Sequence, residues 1–250
     1  MIKTIRESFD DFVIAARIKP AITAGFPLLL IVFYKGVIKC KWVEAGVGLA
    51  LSSVIISFMA YIVRELGRTY EEKLYKELGG KPTTIILRFT DDTVDCVAKT
   101  KYHKWLNNKV PDLKLPVSKQ EEDADTQSDV KYEDAARYLR TYANSHREQF
   151  PRVYQELKKY NYWRNIYGCK WYALLLYGIL AVREILITDK FSIADVFLNP
   201  IPKYTILLVL FGWSLVFCLI VTRKTVTRNS FDYAKTLFEI VDVMSADLEK

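Results

Sequence analysis

The chain has 250 residues, of which 51% are hydrophobic and 26% charged, and basic residues outnumber acidic ones by 36 to 29. This average hides a segregation. Apolar runs of about 17 residues or more alternate with charge-rich segments, and runs of that length match the hydrocarbon thickness of a bilayer. Four scattered cysteines and two distant histidines argue against a disulfide framework or a metal centre, and no cofactor is expected.

Four apolar segments predict an all-α membrane protein with four transmembrane helices. The segments pair into two transmembrane hairpins, which flank a mostly helical cytosolic domain. The predicted parts are an amphipathic N-terminal helix ended by Pro20 (1–20), hairpin 1 (21–63), the cytosolic ligand-sensing domain (64–170), hairpin 2 (171–222) and a cytosolic C-terminal helix (223–250).

Basic residues next to the spans predict the orientation. Arg17 and Lys19 precede the first span, Arg64 and Arg68 follow the second, and Lys170 precedes the third. The two hairpin turns carry fewer lysines and arginines. Because cytosolic flanks are enriched in these residues, both termini and the middle domain are predicted to lie in the cytosol.

Breakers and helical spacing predict the elements of the middle domain. The second span is expected to continue to Leu78, where Gly79-Gly80 stops it, and Thr83 is the predicted N-cap of the next helix. The remaining predicted elements are a helix at 93–106 with Val94, Val97, Lys101 and Trp105 on one side, an exposed loop at 110–129, helices at 131–147 and 153–167, the latter running into the third span, and a tail helix capped by Asn229 or Ser230.

Small residues form a stripe along the second span. Its members are Gly46, Ala50, Ser53, Ser57 and Ala60, and it runs on to Arg64 and Gly67. Such stripes let membrane helices approach closely, so packing within the hairpin is the favoured interpretation. The alternative is a narrow pore with Ser53 and Ser57 facing water and Arg64 at its cytosolic mouth. Both interpretations predict a homo-oligomer of about four chains.

The middle domain combines basic and aromatic residues, a composition that suits single-stranded nucleic acid or a nucleotide. The alternative is a solvated basic face or contact with anionic lipid. The candidate ligand-binding residues are Arg88, Lys99, Lys101, His103, Lys104, Arg137 and Arg140.

Several functional classes are disfavoured. The sequence has no recognisable catalytic motif, so an enzyme is not expected. It also lacks a carboxylate near the middle of any predicted span, which argues against proton-coupled transport. The second candidate class is a membrane-anchored interaction module that recruits a soluble partner without conducting ions.

One set of motifs lies between residues 64 and 170. It comprises Arg64-Glu65-Leu66-Gly67-Arg68, Gly79-Gly80-Lys81-Pro82-Thr83-Thr84, Leu87-Arg88, Lys101-Tyr102-His103, Leu106, Tyr162, Arg164-Asn165 and Gly168. The set resembles that of small bacterial four-span membrane effectors of anti-phage defence, the Hailong HalA-type channel proteins. The resemblance implies a homo-oligomeric ion channel of the bacterial inner membrane, controlled by a nucleotide or short single-stranded DNA oligomer. It also implies a nucleotidyltransferase encoded nearby, and depolarisation that halts growth of an infected cell.

Overall fold

A computed structural model describes residues 11–38, 42–186 and 202–246; within these ranges the side chains of 32–38, 42–54, 56, 202 and 203 lie outside the description. Every regular element in the described ranges is a helix and none is a strand, which confirms the predicted all-α class. The chain divides into two compact units. The first consists of Met1–Tyr70 and Asn161–Val226, and the second of Glu71–Tyr160 and Thr227–Lys250.

The helices follow the predicted order. A single α-helical turn (Asp11–Val13) and a π-helical turn (Ile14–Ile18) lead into the first long helix. The helices are then α1 (Lys19–Ile38), α2 (Trp42–Leu78), α3 (Pro82–Ile85), α4 (Cys96–Lys109), α5 (Lys119–Ala124), α6 (Ser128–Ser145), α7 (Pro151–Gly168), α8 (Lys170–Leu186), α9 (Pro202–Leu219), α10 (Arg223–Phe238) and α11 (Ile240–Ala246).

Length and hydropathy in the described residues account for one or two of the four predicted spans. The helical stretch Asp11–Ile31 is long and apolar enough to cross a membrane. A second span exists if Tyr204–Leu219 and Arg223–Ala246, which are bent by 54° at their junction, are counted together. Much of the predicted second span falls where α2 has no described side chains, and α8 is 17 residues long.

The first unit has a continuous apolar core. Helices α1, α8 and α9 pack against one another, and α2 and α7 complete the cluster. Ile31, Ala60, Ile166, Tyr177 and Phe217 represent the five helices in it, and each is at least nine-tenths buried. The core is therefore built from both predicted hairpins and from the end of the middle domain.

Pro20 does not end the N-terminal helix, contrary to the prediction. The chain passes through a π-helical turn, in which the Lys19 N–H donates to the Ile14 carbonyl, and continues as α1. Proline has no N–H to offer the carbonyl of Ala16, four residues before it. The side-chain amide of Asn165 donates to that oxygen instead, at 2.6 Å. A donor from α7 thus replaces the missing backbone bond.

A second proline, Pro27, lies inside α1 and is accommodated in the same way. It leaves the carbonyl of Thr23 without its backbone donor, and the indole Nε1–H of Trp213 donates to that oxygen at 2.8 Å. The hydroxyl of Tyr177 donates to the neighbouring carbonyl of Ala24 at 2.6 Å. Side chains from α8 and α9 therefore complete the hydrogen bonding of α1, as proline-containing helices in an apolar environment require.

Two glycines allow α2 and α7 to touch backbone to backbone. A Cβ added to Gly168 would lie 2.6 Å from backbone atoms of Gly67 and Leu66. A Cβ added to Gly67 would lie 2.3 Å from Asn165 Oδ1 and 2.8 Å from Asn165 Cα. The end of the small-residue stripe is thus a packing contact within the first unit, made with α7 and not with the other helix of the predicted hairpin.

The second unit has its own core, in which α3 packs against α6 and α4 against α11. The segment 110–129, predicted to be an exposed loop, contains α5 and buries Leu113 and Leu115. Asn107 draws this segment inward, since its side chain donates to the Leu115 carbonyl and accepts from the Leu115 N–H. Two hydrogen bonds with one side-chain amide therefore hold in place a segment whose polar composition had suggested exposure to solvent.

Two predicted helix caps and the predicted start of one helix, at residue 93, are wrong. Thr83 lies inside α3, after Lys81 at the N-cap position and Pro82 at the first turn. The N-cap of α4 is Asp95, whose carboxylate accepts from two backbone N–H groups. The C-terminal helix begins at Arg223, so Asn229 and Ser230 are buried within it. The helices with a wrong cap begin at an earlier residue, Pro82 or Arg223, and α4 begins later because Asp95 satisfies its first-turn donors.

The proline-compensating hydrogen bonds can be tested with a double-mutant cycle. We expect Trp213→Phe to destabilise the protein, because it leaves the Thr23 carbonyl without a donor. In a Pro27→Ala background the backbone N–H gained at position 27 can serve that carbonyl, so the same substitution should cost about 1 kcal/mol less. The measurement is the free energy of unfolding by SDS titration in mixed micelles. Additive effects would contradict the assignment.

The glycine contact predicts a strong position dependence of Gly→Ala substitutions. Gly168→Ala should destabilise the protein by more than about 2 kcal/mol, because the added methyl group meets backbone atoms that cannot rotate away. Gly178→Ala is the matched control, since a Cβ there has nothing within 4 Å. Its midpoint of thermal unfolding should stay within about 2 °C of the wild type. Equal effects of the two substitutions would refute the close approach.

Candidate anion-binding sites

The residues that follow α2 connect helices of the second unit. Gly79 and Gly80 end α2 as predicted, with φ of 74° and 153°, a region that favours glycine. Arg88 donates to both carboxylate oxygens of Asp129, at 2.9 and 2.7 Å, and to the Gly79 carbonyl at 2.8 Å. The hydrogen bond to Asp129 raises the pKa of Arg88. Arg88 therefore fastens α6 to the end of α2.

Lys99 and His103, two of the predicted ligand contacts, lie in the interior of the second unit. Lys99 is 1% exposed, and its ammonium group donates to the backbone carbonyls of Arg88 (2.7 Å) and Asp91. His103 is fully buried, and its Nδ1 lies 2.5 Å from the Pro116 carbonyl. Burial lowers the pKa of His103 to about 4, so the ring is neutral at neutral pH. In this structure an external anion reaches neither residue.

Three further predicted contacts are held by neighbouring groups. Lys101 contacts Asp242 at 2.9 Å, and the hydroxyl of Tyr102 donates to the same carboxylate. Arg137 pairs with Asp134. Arg140 donates through Nε to the Ala136 carbonyl at 3.1 Å. These contacts use part of the hydrogen-bonding capacity that an anionic ligand would need.

Lys101 and Lys104 lie on one exposed face of α4. Together with Cys96, Val97 and Thr100 they line a shallow depression. Of the four residues predicted to share one side, Val97 and Lys101 are exposed, whereas Val94 and Trp105 are buried. The buried residues of α4 are Lys99, Tyr102, His103, Trp105 and Leu106. None of the other five predicted ligand contacts lines this depression, and the described structure does not gather the seven into one site.

The small-residue stripe is described only in its second half. The side chains of Gly46, Ala50 and Ser53 lie outside the described residues. Ser57 is exposed, whereas Ala60 is buried in the core of the first unit. Arg64 lines a cavity within the same unit.

That cavity, of about 300 Å³, brings together four arginines of the first unit. Its volume is at the lower end of the range for small-molecule sites. The carboxylate of Glu65 contacts Arg64 at 3.4 Å and Arg68 at 3.7 Å. The lining residues are Phe12, Ala16, Arg17, Arg64, Arg68, Asn161, Arg164 and Asn165. We call this cavity the arginine pocket.

Asn165 positions one wall of the arginine pocket. Its Oδ1 accepts hydrogen bonds from both Nε and Nη2 of Arg164, each at 3.1 Å. Its Nδ2 donates to the Ala16 carbonyl that Pro20 leaves without a backbone donor. Asn165 is 1% exposed, and Gly67 leaves the space that it occupies. The orientation of the Arg164 guanidinium is therefore fixed by the packing of the helices.

The grouping of these arginines is not predicted by the sequence. One interpretation of the small-residue stripe puts Arg64 at the mouth of a pore. Arg17 and Arg68 serve only to predict which side of the membrane is cytosolic. The available signal was helical spacing: Arg64 and Arg68 are four residues apart on α2, and Asn161, Arg164 and Asn165 recur at three and four residues on α7. Only the fold brings the two faces together.

No protein-family model, no curated protein and no solved structure matches this chain. In the described ranges no group of three or more His, Cys, Asp or Glu residues could hold a metal ion.

The buried neutral histidine predicts a pH dependence of stability. The pKa of His103 in the folded protein is lower than its value in the unfolded chain, so the unfolded state binds more protons between about pH 6.5 and pH 4. Stability should be complete above pH 6.5. Below that value the free energy of unfolding should fall by up to about 1.4 kcal/mol per pH unit from this group.

The measurement is the midpoint of thermal unfolding at pH 7.5 and pH 5. His103→Asn, which has no titrating ring, should show a smaller decrease between the two pH values than the wild type. His146→Gln is the control for the loss of a histidine at the surface, since His146 is exposed. An unchanged decrease in His103→Asn would contradict the assignment.

Proposed function

We propose that this chain is a ligand-gated membrane effector, a homo-oligomeric ion channel of about four chains in the bacterial inner membrane. In this proposal four helices cross the membrane, and both termini and the second unit lie in the cytosol. A nucleotide or short single-stranded oligonucleotide acts on the second unit, and the channel serves anti-phage defence. The nucleotidyltransferase implied by the resemblance is the proposed source of the signal.

The observation that carries the proposal is that helices of the first unit are apolar on both sides. One side of α8 buries Ala173, Tyr177 and Leu180 in the core, while the other exposes Leu175 and Ile179, at 64% and 57%. Helix α9 exposes Phe211 and Leu215 in the same way. A helix that is hydrophobic all round suits a membrane span, and exposed apolar surface of this kind is unfavourable in water.

Contacts at the helix ends support two antiparallel hairpins. Arg17, before the first proposed span, lines the same cavity as Arg64, after the second. The Lys170 ammonium, at the start of the third, donates to the Val221 carbonyl at the end of the fourth, at 2.9 Å. Within each proposed hairpin, basic residues that flank the spans therefore lie at the end where the chain enters and leaves it. The positive-inside rule expects this arrangement at cytosolic ends.

Conduction is the step that depends most on the resemblance. We propose that α2 lies nearest the oligomer axis and that the apolar stretch 49–59 gates the pore by excluding water. Exposed Phe58 and Tyr61 give this helix an outward apolar face that a neighbouring chain or lipid can cover. Ligand binding would shift the population between two arrangements of the hairpins if it favours one of them.

The proposal is tested by mass photometry in nanodiscs followed by planar-bilayer recording. We expect an assembly of about four chains, and a conductance that changes when a short oligodeoxynucleotide is added. Lys101→Gln with Lys104→Gln should weaken oligonucleotide binding, make it less salt-dependent and leave the assembly intact, because each phosphate that is no longer neutralised lowers the salt dependence by about one power of concentration.

Lys73→Gln with Lys76→Gln is the matched control, since both lysines are exposed on α2 within the second unit. Monomers without conductance would overturn the channel proposal. A soluble protein that co-purifies in stoichiometric amount with such monomers would favour the membrane-anchored interaction module.

A further inference from the structure

We propose that the arginine pocket is a binding site for a phosphate group, separate from the ligand surface proposed on the second unit. The inference does not depend on ion conduction. The phosphate can belong to a phospholipid headgroup or to a soluble molecule, and both present the same chemistry to the four arginines.

The first argument is charge. Arg17, Arg64, Arg68 and Arg164 line one cavity, and Glu65 contacts two of them. Arg17 is close enough to Arg64 and Arg164 to experience repulsion from both. Four guanidinium groups around one cavity create a positive potential inside it, and the attraction of that potential for an anion grows as water is excluded. A phosphate group would be attracted by this potential.

The second argument is preorganisation. Arg164 is 9% exposed, and two of its nitrogens are held by Asn165, so its guanidinium plane is fixed before any ligand arrives. Arg164 therefore contributes its positive charge to the cavity without a loss of conformational freedom on binding, which favours affinity. The guanidinium groups of Arg17 and Arg68 are planar and match the spacing of two phosphate oxygens, to which each can donate two parallel hydrogen bonds.

The third argument is position. The pocket draws on residues that immediately flank three of the proposed spans, on their proposed cytosolic side: Arg17, Arg64 and Arg164. Phospholipid phosphates lie at this depth, and anionic lipids are attracted to basic clusters there. Arg68, with a side chain 55% exposed, gives the pocket an open side toward water. Both sources of phosphate could therefore enter.

The test compares two pairs of substitutions in the full chain. Arg17→Gln with Arg68→Gln removes two pocket charges and spares the Arg164–Asn165 contact. Lys101→Gln with Lys104→Gln removes the same charge from the second unit. Arg17→Lys with Arg68→Lys keeps the charge and removes the planar guanidinium groups, and it is the second variant to be measured if the Gln pair fails to fold. Far-UV circular dichroism and assembly size are checked for each protein.

Two probes separate the sources of phosphate. Phosphatidylglycerol bound to detergent-purified protein is counted by native mass spectrometry, with phosphatidylcholine as reference. Pyrophosphate and a short oligodeoxynucleotide are titrated by calorimetry in neutral detergent. The Gln pair in the pocket should weaken at least one of these probes about tenfold or more, and the Lys101/Lys104 pair should weaken it less.

A loss confined to phosphatidylglycerol identifies a lipid headgroup, and a loss with pyrophosphate or oligonucleotide identifies a soluble phosphate. The inference is overturned if every probe binds the Gln pair as tightly as the wild type. It is also overturned if the pocket pair and the second-unit pair weaken binding equally, since that result indicates general attraction. If the second-unit pair lowers oligonucleotide binding and the pocket pair weakens none of the probes, the ligand surface of the proposed function survives and the pocket proposal fails.

Discussion

The hydrogen bond from the Asn165 side-chain amide to the Ala16 carbonyl is the contact on which the first unit depends. It satisfies an oxygen that Pro20 deprives of its backbone donor, so α1 can continue through the proline. The same amide orients Arg164 through its oxygen. It fits between α2 and α7 only because residue 67 is glycine. One side chain thus links the course of α1, the approach of two other helices and the geometry of the arginine pocket.

This constraint explains why the core tolerates proline where a solvated helix would stop. An unsatisfied carbonyl in an apolar environment costs several kcal/mol. In α1 the donors come from Asn165, Trp213 and Tyr177, which belong to three different helices. The first helix is therefore completed by tertiary contacts rather than by its own backbone. Its stability and the packing of α7, α8 and α9 are interdependent.

The sequence was sufficient for features that are set locally. Apolar length predicted α8 and α9 to within about three residues, and Gly79-Gly80 predicted the end of α2, because only glycine readily adopts the required φ values. The passage of the helix through Pro20 could not be predicted, because its compensating donor, Asn165, lies far along the chain.

Helical periodicity contained a signal for the buried side of α4, since Tyr102, His103 and Leu106 follow Lys99 by three, four and seven residues. That signal was missed because two of the four are polar.

The candidate sites show the same division between local and long-range information. A count of basic residues favoured the second unit, yet several of its cations are held there by carboxylates or carbonyls, as Arg88 is by Asp129 and Lys99 by two backbone oxygens. Clustering along the sequence therefore overstated the charge that this unit presents to a ligand. In the first unit the arginines are scattered along the sequence, and packing collects them around one cavity. The anion site is therefore proposed where the fold concentrates positive charge rather than where the sequence does.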